Sequence, residues 1–120
     1  MRAIIHGGLY RTGTTSLQAV LSHNRPLLRQ AGILYPGTPA SASFPDTQHS
    51  HLFSKALGRD TAACENYLAE ICDAAKAARC ATVLLSSELG SSFPEVPESF
   101  AEFLALLRRH FDPIRFHFVL

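Results

Sequence analysis

Segments with the pattern of β-strands alternate with helical segments from one end of the sequence to the other. The strand-like segments cover residues 2–8, 33–35, 81–86 and 114–120. Helical patterns cover residues 14–24, 49–57, 61–79 and 98–110, and a further helix starts near Pro26 and ends by Gly32. Strands separated by helices pair in parallel through right-handed crossovers. The order therefore predicts an α/β fold in which helices layer a parallel sheet.

Length and composition describe one ordinary globular domain. The 120 residues are 47% hydrophobic and 18% charged, which argues against disorder and suffices for one hydrophobic core. Lys and Arg number 11 and Asp and Glu number 10, so the formal net charge is +1. A chain this close to neutral does not act mainly as a polycation on nucleic acid, and we expect no nucleic-acid partner.

The last segment of the sequence is a strand with no helix after it. Residues 114–120 have strong β character, and a parallel sheet is normally covered by helices on both faces. We therefore expect residues 1–120 to be the N-terminal portion of a single domain that is truncated at its C-terminus.

The sequence predicts neither a membrane span nor a signal peptide. Its apolar runs are far shorter than the roughly 20 residues of a spanning helix, and the stretch Ala3–Ile5 stops too early for a signal peptide. Cys64, Cys72 and Cys80 are spaced by eight, which fits neither a CxxC motif nor a common zinc pattern. We expect free thiols in a reducing compartment, and therefore a cytoplasmic protein.

The chemically informative segment lies between the first strand and the first helix. Gly8 and Gly13 are separated by four residues, as in the phosphate-binding P-loop G-x-x-x-x-G-K-[ST]. Thr15 matches the final hydroxyl, Thr14 stands in place of the lysine, and Arg11 is the cation inside the loop. Glycines let backbone amides point at an anion, and the following helix N-terminus favours negative charge. The segment therefore predicts an anion-binding loop that is poorly suited to ATP or GTP hydrolysis.

The segment Arg11–Gln18, RTGTTSLQ, resembles the 5′-phosphosulfate loop of the sulfotransferase family, whose usual form is Lys or Arg, any residue, then Gly-Thr-Thr. Residues 6–9 and 84–88 also resemble bacterial members of that family. The resemblance covers essentially the whole chain but only the first half of the family's catalytic domain. It implies a P-loop-type three-layer fold and an enzyme that moves a sulfonate from 3′-phosphoadenosine-5′-phosphosulfate (PAPS) to a hydroxyl or amine. The acceptor would be a small molecule or a glycan, and no metal is expected.

The resemblance assigns the loop to the sulfonate donor. Arg11 would stabilise the negative charge that develops on the leaving oxygen, and the hydroxyls and amides that follow would hold the 5′-phosphate. A donor without a γ-phosphate also suits a loop without the P-loop lysine. The residues implied to bind PAPS are Arg11, Thr12, Gly13, Thr14, Thr15 and Ser16.

Sulfonate transfer needs a general base, because the acceptor hydroxyl loses a proton as it attacks. Glu88 is the first candidate, since it follows a predicted strand and ligands of open α/β sheets lie beyond the carboxyl ends of strands. The same glutamate could instead be a solvated carboxylate that caps the next helix. His49 and His51 are the alternative bases, because they follow a loop of about 13 residues, 36–48, where the acceptor could lie.

Two other sets of residues are interpreted as structural. His6, at the end of the first strand, is expected to be packed or hydrogen-bonded. The spacing of five phenylalanines favours the hydrophobic core over an adenine site, and these are Phe100, Phe103, Phe111, Phe116 and Phe118.

Two alternatives remain open beside a sulfotransferase: a P-loop nucleotide kinase relative, and a non-enzymatic fragment with a degenerate anion-binding loop. A kinase needs Mg²⁺ and an Asp at a strand end, where this sequence has Ser86, Ser87 and Glu88. In the sulfotransferase family, the Arg and Ser that bind the 3′-phosphate follow the strand that corresponds to residues 114–120. We therefore expect the 120-residue chain alone to be inactive.

Overall fold

A computed structural model describes residues 1–8, 14–37 and 46–119 of the chain, and four strands alternate with five helices in these ranges. The strands are β1 (Arg2–Gly8), β2 (Ile33–Leu34), β3 (Thr82–Ser87) and β4 (Ile114–Val119). The helices are α1 (Thr14–His23), α2 (Arg25–Gln30), α3 (Ser50–Leu57), α4 (Thr61–Ala77) and α5 (Pro97–His110), with a 3₁₀-helix over Glu88–Glu95.

The four strands form one parallel sheet in the order β2-β3-β1-β4. The first strand therefore lies inside the sheet: Ile5 is in register with Leu85 on one side and with Phe116 on the other. The α/β class and the parallel sheet predicted from the alternation of segments are confirmed.

One face of the sheet forms the hydrophobic core with α3, α4 and α5. Ala3 and Ile5 of β1 and Val83 and Leu85 of β3 point into it, and each is fully buried. Alternation along a strand sends Ile4 and His6 to the opposite face, where α1 lies and Gln18 reaches the β3 residue Ser86. Helix α1 therefore lies on one face of the sheet, and the hydrophobic core lies on the other face with α3 to α5.

Aromatic rings fill the centre of that core, as their helical spacing predicts. Phe103 of α5 is stacked on Phe93 with ring centroids 5.5 Å apart, and it meets Phe53 of α3 edge-on at the same distance. Phe111 is also buried, and Phe100 and Phe116 pack against the core from its edge, whereas the side chain of Phe118 lies outside what the structure describes.

Helix boundaries agree with the sequence signals to within two residues. The sequence leaves Asp60 or Thr61 as the cap of α4, and the structure has Asp60 in that role: its side chain accepts a hydrogen bond from the backbone N–H of Ala63 at 3.1 Å. Gly32, which ends the α2 region, has φ of +81°, a conformation that glycine adopts without strain. The 3₁₀-helix was not predicted, because Gly90, two serines and Pro94 are typical of a loop.

Two expectations for the whole chain concern its cysteines and membrane-spanning segments. The three cysteines are free thiols and all are buried. In the described part of the chain, no helix is both long enough and apolar enough to cross a membrane.

Replacing Phe103 with alanine should lower the free energy of unfolding by roughly 3–5 kcal/mol, because Phe103 is 1% exposed and contacts two other rings. The control Leu27→Ala removes an apolar side chain that is 62% exposed and should change stability by no more than about 0.5 kcal/mol. Urea unfolding monitored by circular dichroism measures both, and similar losses in the two variants would contradict this account of the core.

Candidate functional site

The carboxyl ends of β1 and β3 meet in the middle of the sheet, where Gly7 is in register with Ser87. The connection from β1 to β2 runs over one face of the sheet through α1, and the connection from β3 to β4 runs over the other face through α5. In open α/β sheets, ligands bind at such a point, because the diverging connections leave a crevice beyond the strand ends. This edge of the sheet is therefore the candidate site.

The predicted anion-binding loop connects β1 to α1 at this point. Arg11, Thr12 and Gly13 lie outside the described residues. Thr14, Thr15 and Ser16 form the first turn of α1. Backbone N–H groups in the first turn of a helix have no partner within the helix, so they can bind a negatively charged group. The strand expected before the motif and the helix expected after it are thus both present.

Glu88, the predicted base, comes directly after β3 and begins the 3₁₀-helix. Its side chain is half-buried. The hydroxyl of the preceding residue, Ser87, caps this helix by accepting a hydrogen bond from the N–H of Leu89 at 3.1 Å. The structure therefore places Glu88 at the same sheet edge as the start of the loop.

Ser86 is the centre of a buried polar network under this edge. Its hydroxyl accepts a hydrogen bond from the Gln18 amide at 3.0 Å and lies 2.9 Å from Nδ1 of His6. His6 is thus hydrogen-bonded, as predicted for a structural residue. Burial, and to a smaller extent the neighbouring His117, lowers the pKa of His6. A neutral ring is therefore favoured at this position.

His49, one of the alternative bases, has no ring nitrogen left for catalysis. Its Nδ1 accepts a hydrogen bond from the N–H of Ser86 at 2.9 Å, and its Nε2 donates to the carbonyl of Pro36 at 2.7 Å. The side chain is fully buried, and burial lowers its pKa to about 4. This geometry assigns His49 to joining the long loop to β3, which argues against its being the base.

His51, the other alternative base, makes a different contact. Its ring meets Tyr67 of α4 edge-on, with centroids 5.7 Å apart. The hydroxyl of Tyr67 in turn donates to the carbonyl of Gly37 at 2.7 Å. His51 therefore lies next to the start of the long loop rather than in the network around Ser86.

Arg25 joins the two ends of the long loop, of which residues 38–45 lie outside the described part of the chain. Its guanidinium donates to the carbonyls of Tyr35, Pro36 and Asp46 at 2.6–3.2 Å and pairs with the Asp46 carboxylate at 3.3 Å. Tyr35 adds a bond from its hydroxyl to the carbonyl of Thr47 at 2.6 Å. The predicted loop thus begins and ends beside the candidate site.

The sequence did not indicate the roles of Gln18, Ser50 or Ser86. Ser50 donates to the side chain of Gln48, so the 2.7 Å contact between the Ser50 and Ser87 hydroxyls is donated by Ser87. These are common polar residues without a spacing motif. A glutamine on the helix after a glycine-rich segment indicates a contact with the sheet only when the neighbouring strand is already known.

Comparisons with known proteins add no family to this description: no protein-family model, no curated protein and no solved structure matches the chain. Within the described ranges, no group of three or more His, Cys, Asp or Glu side chains is arranged to hold a metal ion.

The burial of His49 predicts that stability falls as the pH drops below about 6.5. Above that pH the ring is neutral in both states, whereas below it the unfolded chain takes up a proton that the folded chain excludes until about pH 4. The free energy of unfolding should therefore fall by about 1.4 kcal/mol per pH unit between these limits from this group alone.

Urea unfolding of wild type and His49→Gln at several pH values measures this slope. The amide of glutamine does not titrate, so the variant should lack the contribution of His49, whatever its stability at neutral pH. His23→Gln replaces an exposed histidine and should retain the wild-type slope. Equal slopes in wild type and His49→Gln would show that the folded protein accepts the proton at this ring.

Proposed function

We propose that the chain is a sulfotransferase, or the N-terminal part of one, that binds the 5′-phosphosulfate of PAPS at the turn between β1 and α1. The observation that carries the proposal is the position of the RTGTTS segment. It joins an inner strand of a parallel sheet to a helix of ten residues that begins at Thr14, at the point where the sheet connections diverge. A P-loop-type fold belongs to the same proposal.

The donor fits the chemistry of this turn. The first-turn amides of α1 and the hydroxyls of Thr14, Thr15 and Ser16 would hold the 5′-phosphate, and Arg11 would act on the oxygen between phosphorus and sulfur. As the S–O bond breaks, that oxygen gains negative charge, which a guanidinium stabilises by charge-assisted hydrogen bonds. Thr12 and Gly13 complete the loop that encloses the phosphate.

The acceptor is proposed to be a hydroxyl or amine of a small molecule or glycan that approaches the same sheet edge. Glu88 would take the proton of the attacking group, since it follows β3 and lies next to the strand that leads into the loop. The geometry of His49 strengthens this choice, because both of its ring nitrogens are occupied.

The donor is tested by titrating the protein with adenosine 3′,5′-bisphosphate or inorganic sulfate, in the presence of a chelator, while amide signals are followed by NMR. We expect the amides of Thr14, Thr15 and Ser16 to shift with both compounds, because the proposed contacts need no metal. This readout detects weak binding, so it does not depend on contacts to the 3′-phosphate. Shifts that appear with ATP and Mg²⁺, but with neither of the first two compounds, would favour a nucleotide kinase relative. No shift with any of these compounds would leave a degenerate loop without a donor.

Arg11→Ala, in a form of the enzyme that turns over, should lower kcat by about 100-fold or more, because the charge on the leaving oxygen peaks in the transition state. The KM for PAPS should change much less. Arg109→Ala, an exposed arginine in the last turn of α5, is the matched control and should leave both parameters unchanged. A raised KM with an unchanged kcat would assign Arg11 to ground-state binding instead.

A further inference from the structure

The helix that begins at the proposed donor site has little apolar contact with the rest of the fold. Among the described side chains of α1, Gln18 alone is buried, at 2% exposed. Of the apolar residues whose spacing predicts the helix, Leu17 and Val20 are 41% and 58% exposed, and Leu21 is half-buried. Because Leu17 and Val20 face solvent, α1 has less apolar packing than α4 and α5.

A buried polar contact joins the middle of α1 to the sheet. The Gln18 side chain donates to the Ser86 hydroxyl at 3.0 Å, in a position that is closed to solvent. Ser86 and His6 are neighbours in the sheet register, and the same hydroxyl lies 2.9 Å from Nδ1 of His6. One hydroxyl thus joins α1 to both strands whose ends form the candidate site.

Ser86 is a fixed point for this contact. It belongs to β3, it is fully buried, and its backbone N–H and carbonyl are both bonded to His49, at 2.9 and 2.8 Å. A hydrogen bond to a group that is held in this way fixes the position of the donor side chain. A buried amide left without its partner also carries a desolvation penalty, so Gln18 strongly favours the bonded arrangement.

We propose that Gln18, Ser86 and His6 form a polar tether that positions α1, and with it the backbone amides of its first turn, against β1 and β3. Gln18 is then a positioning residue rather than a catalytic one. It lies one helical turn beyond Thr14, so a change in its contact shifts the direction in which the first-turn amides point. The link from this tether to anion binding rests on the proposed function, whereas the tether itself does not.

Hydrogen exchange of Gln18→Met measures the tether without any ligand. Methionine has a similar length but cannot donate to Ser86, so the amides of residues 18–23 should exchange about five- to tenfold faster through local opening of α1. Global unfolding breaks the same contact, so the free energy of unfolding in urea should fall by the matching amount, about 1.0–1.4 kcal/mol for a five- to tenfold change. Gln30→Met makes the same replacement at an exposed position in α2 and should leave α1 exchange at the wild-type rate.

Two results would overturn the tether. One is unchanged exchange in α1 of Gln18→Met. The other is a fall in the free energy of unfolding well beyond the amount that the α1 exchange accounts for, because such a fall means that the replacement disturbs more than the contact of α1 with Ser86. Ser86→Ala provides a second route, because it removes the acceptor and should accelerate α1 as Gln18→Met does. The double variant should then exchange no faster in α1 than the faster single variant, since both changes break one contact.

The link to the anion site is measured with inorganic sulfate. If the tether positions the turn, the sulfate-induced shifts of the amides of residues 14–16 should need a several-fold higher sulfate concentration in Gln18→Met than in wild type or Gln30→Met. Equal sulfate dependence in all three, together with faster α1 exchange, would overturn the positioning role. If wild type shows no sulfate shifts, the proposed donor site fails, while the exchange experiment still decides whether the tether exists.

Discussion

The pairing of β1 on both of its edges is the constraint on which the rest of the structure depends. Its neighbours come from distant parts of the chain, so one strand of seven residues brings residues 82–87 and 114–119 together. Pairing in register also puts Ala3 and Ile5 beside Val83 and Leu85, in the layer that the aromatic rings of α3 and α5 cover. The same pairing brings the end of β3 to the start of the loop, so the core and the candidate site have one origin.

Most of the elements, and the class of fold, were predictable because they follow from local patterns. Apolar periodicity and caps gave α4 from Asp60 onwards, and the stripe of phenylalanines gave the buried face of α5. The glycine spacing around Gly8 and Gly13 was readable for the same reason, since a turn that binds an anion needs particular residues at fixed distances. The 3₁₀-helix was not predicted, because its glycine, serines and proline have no helical preference. The Ser87 cap and the buried Phe93 stabilise it instead.

The polar network was not predictable, because its members are far apart in the sequence and are ordinary residues. Gln18 and Ser86 are separated by 68 positions, and only the strand order brings them together. Sequence reasoning treated His49 as a possible base because it follows a long loop. Tertiary burial decides the matter differently, since a histidine enclosed between Ser86 and Pro36 has no nitrogen to offer. Local patterns could identify residues able to do chemistry, but not which of them the fold leaves available.

The two faces of the sheet are held by different forces, and the difference matters for an anion site. Hydrophobic packing on the side of α3 to α5 is strong but non-directional, so it secures the sheet without fixing the angle of a helix on the other face. A hydrogen bond from Gln18 to Ser86 is weaker and directional, which suits the aiming of a helix N-terminus. Burial and His117 lower the pKa of His6, so a neutral ring is favoured in the tether. Under the proposed function, the first-turn amides and Arg11 are then the groups that bind the negatively charged donor and stabilise its leaving oxygen.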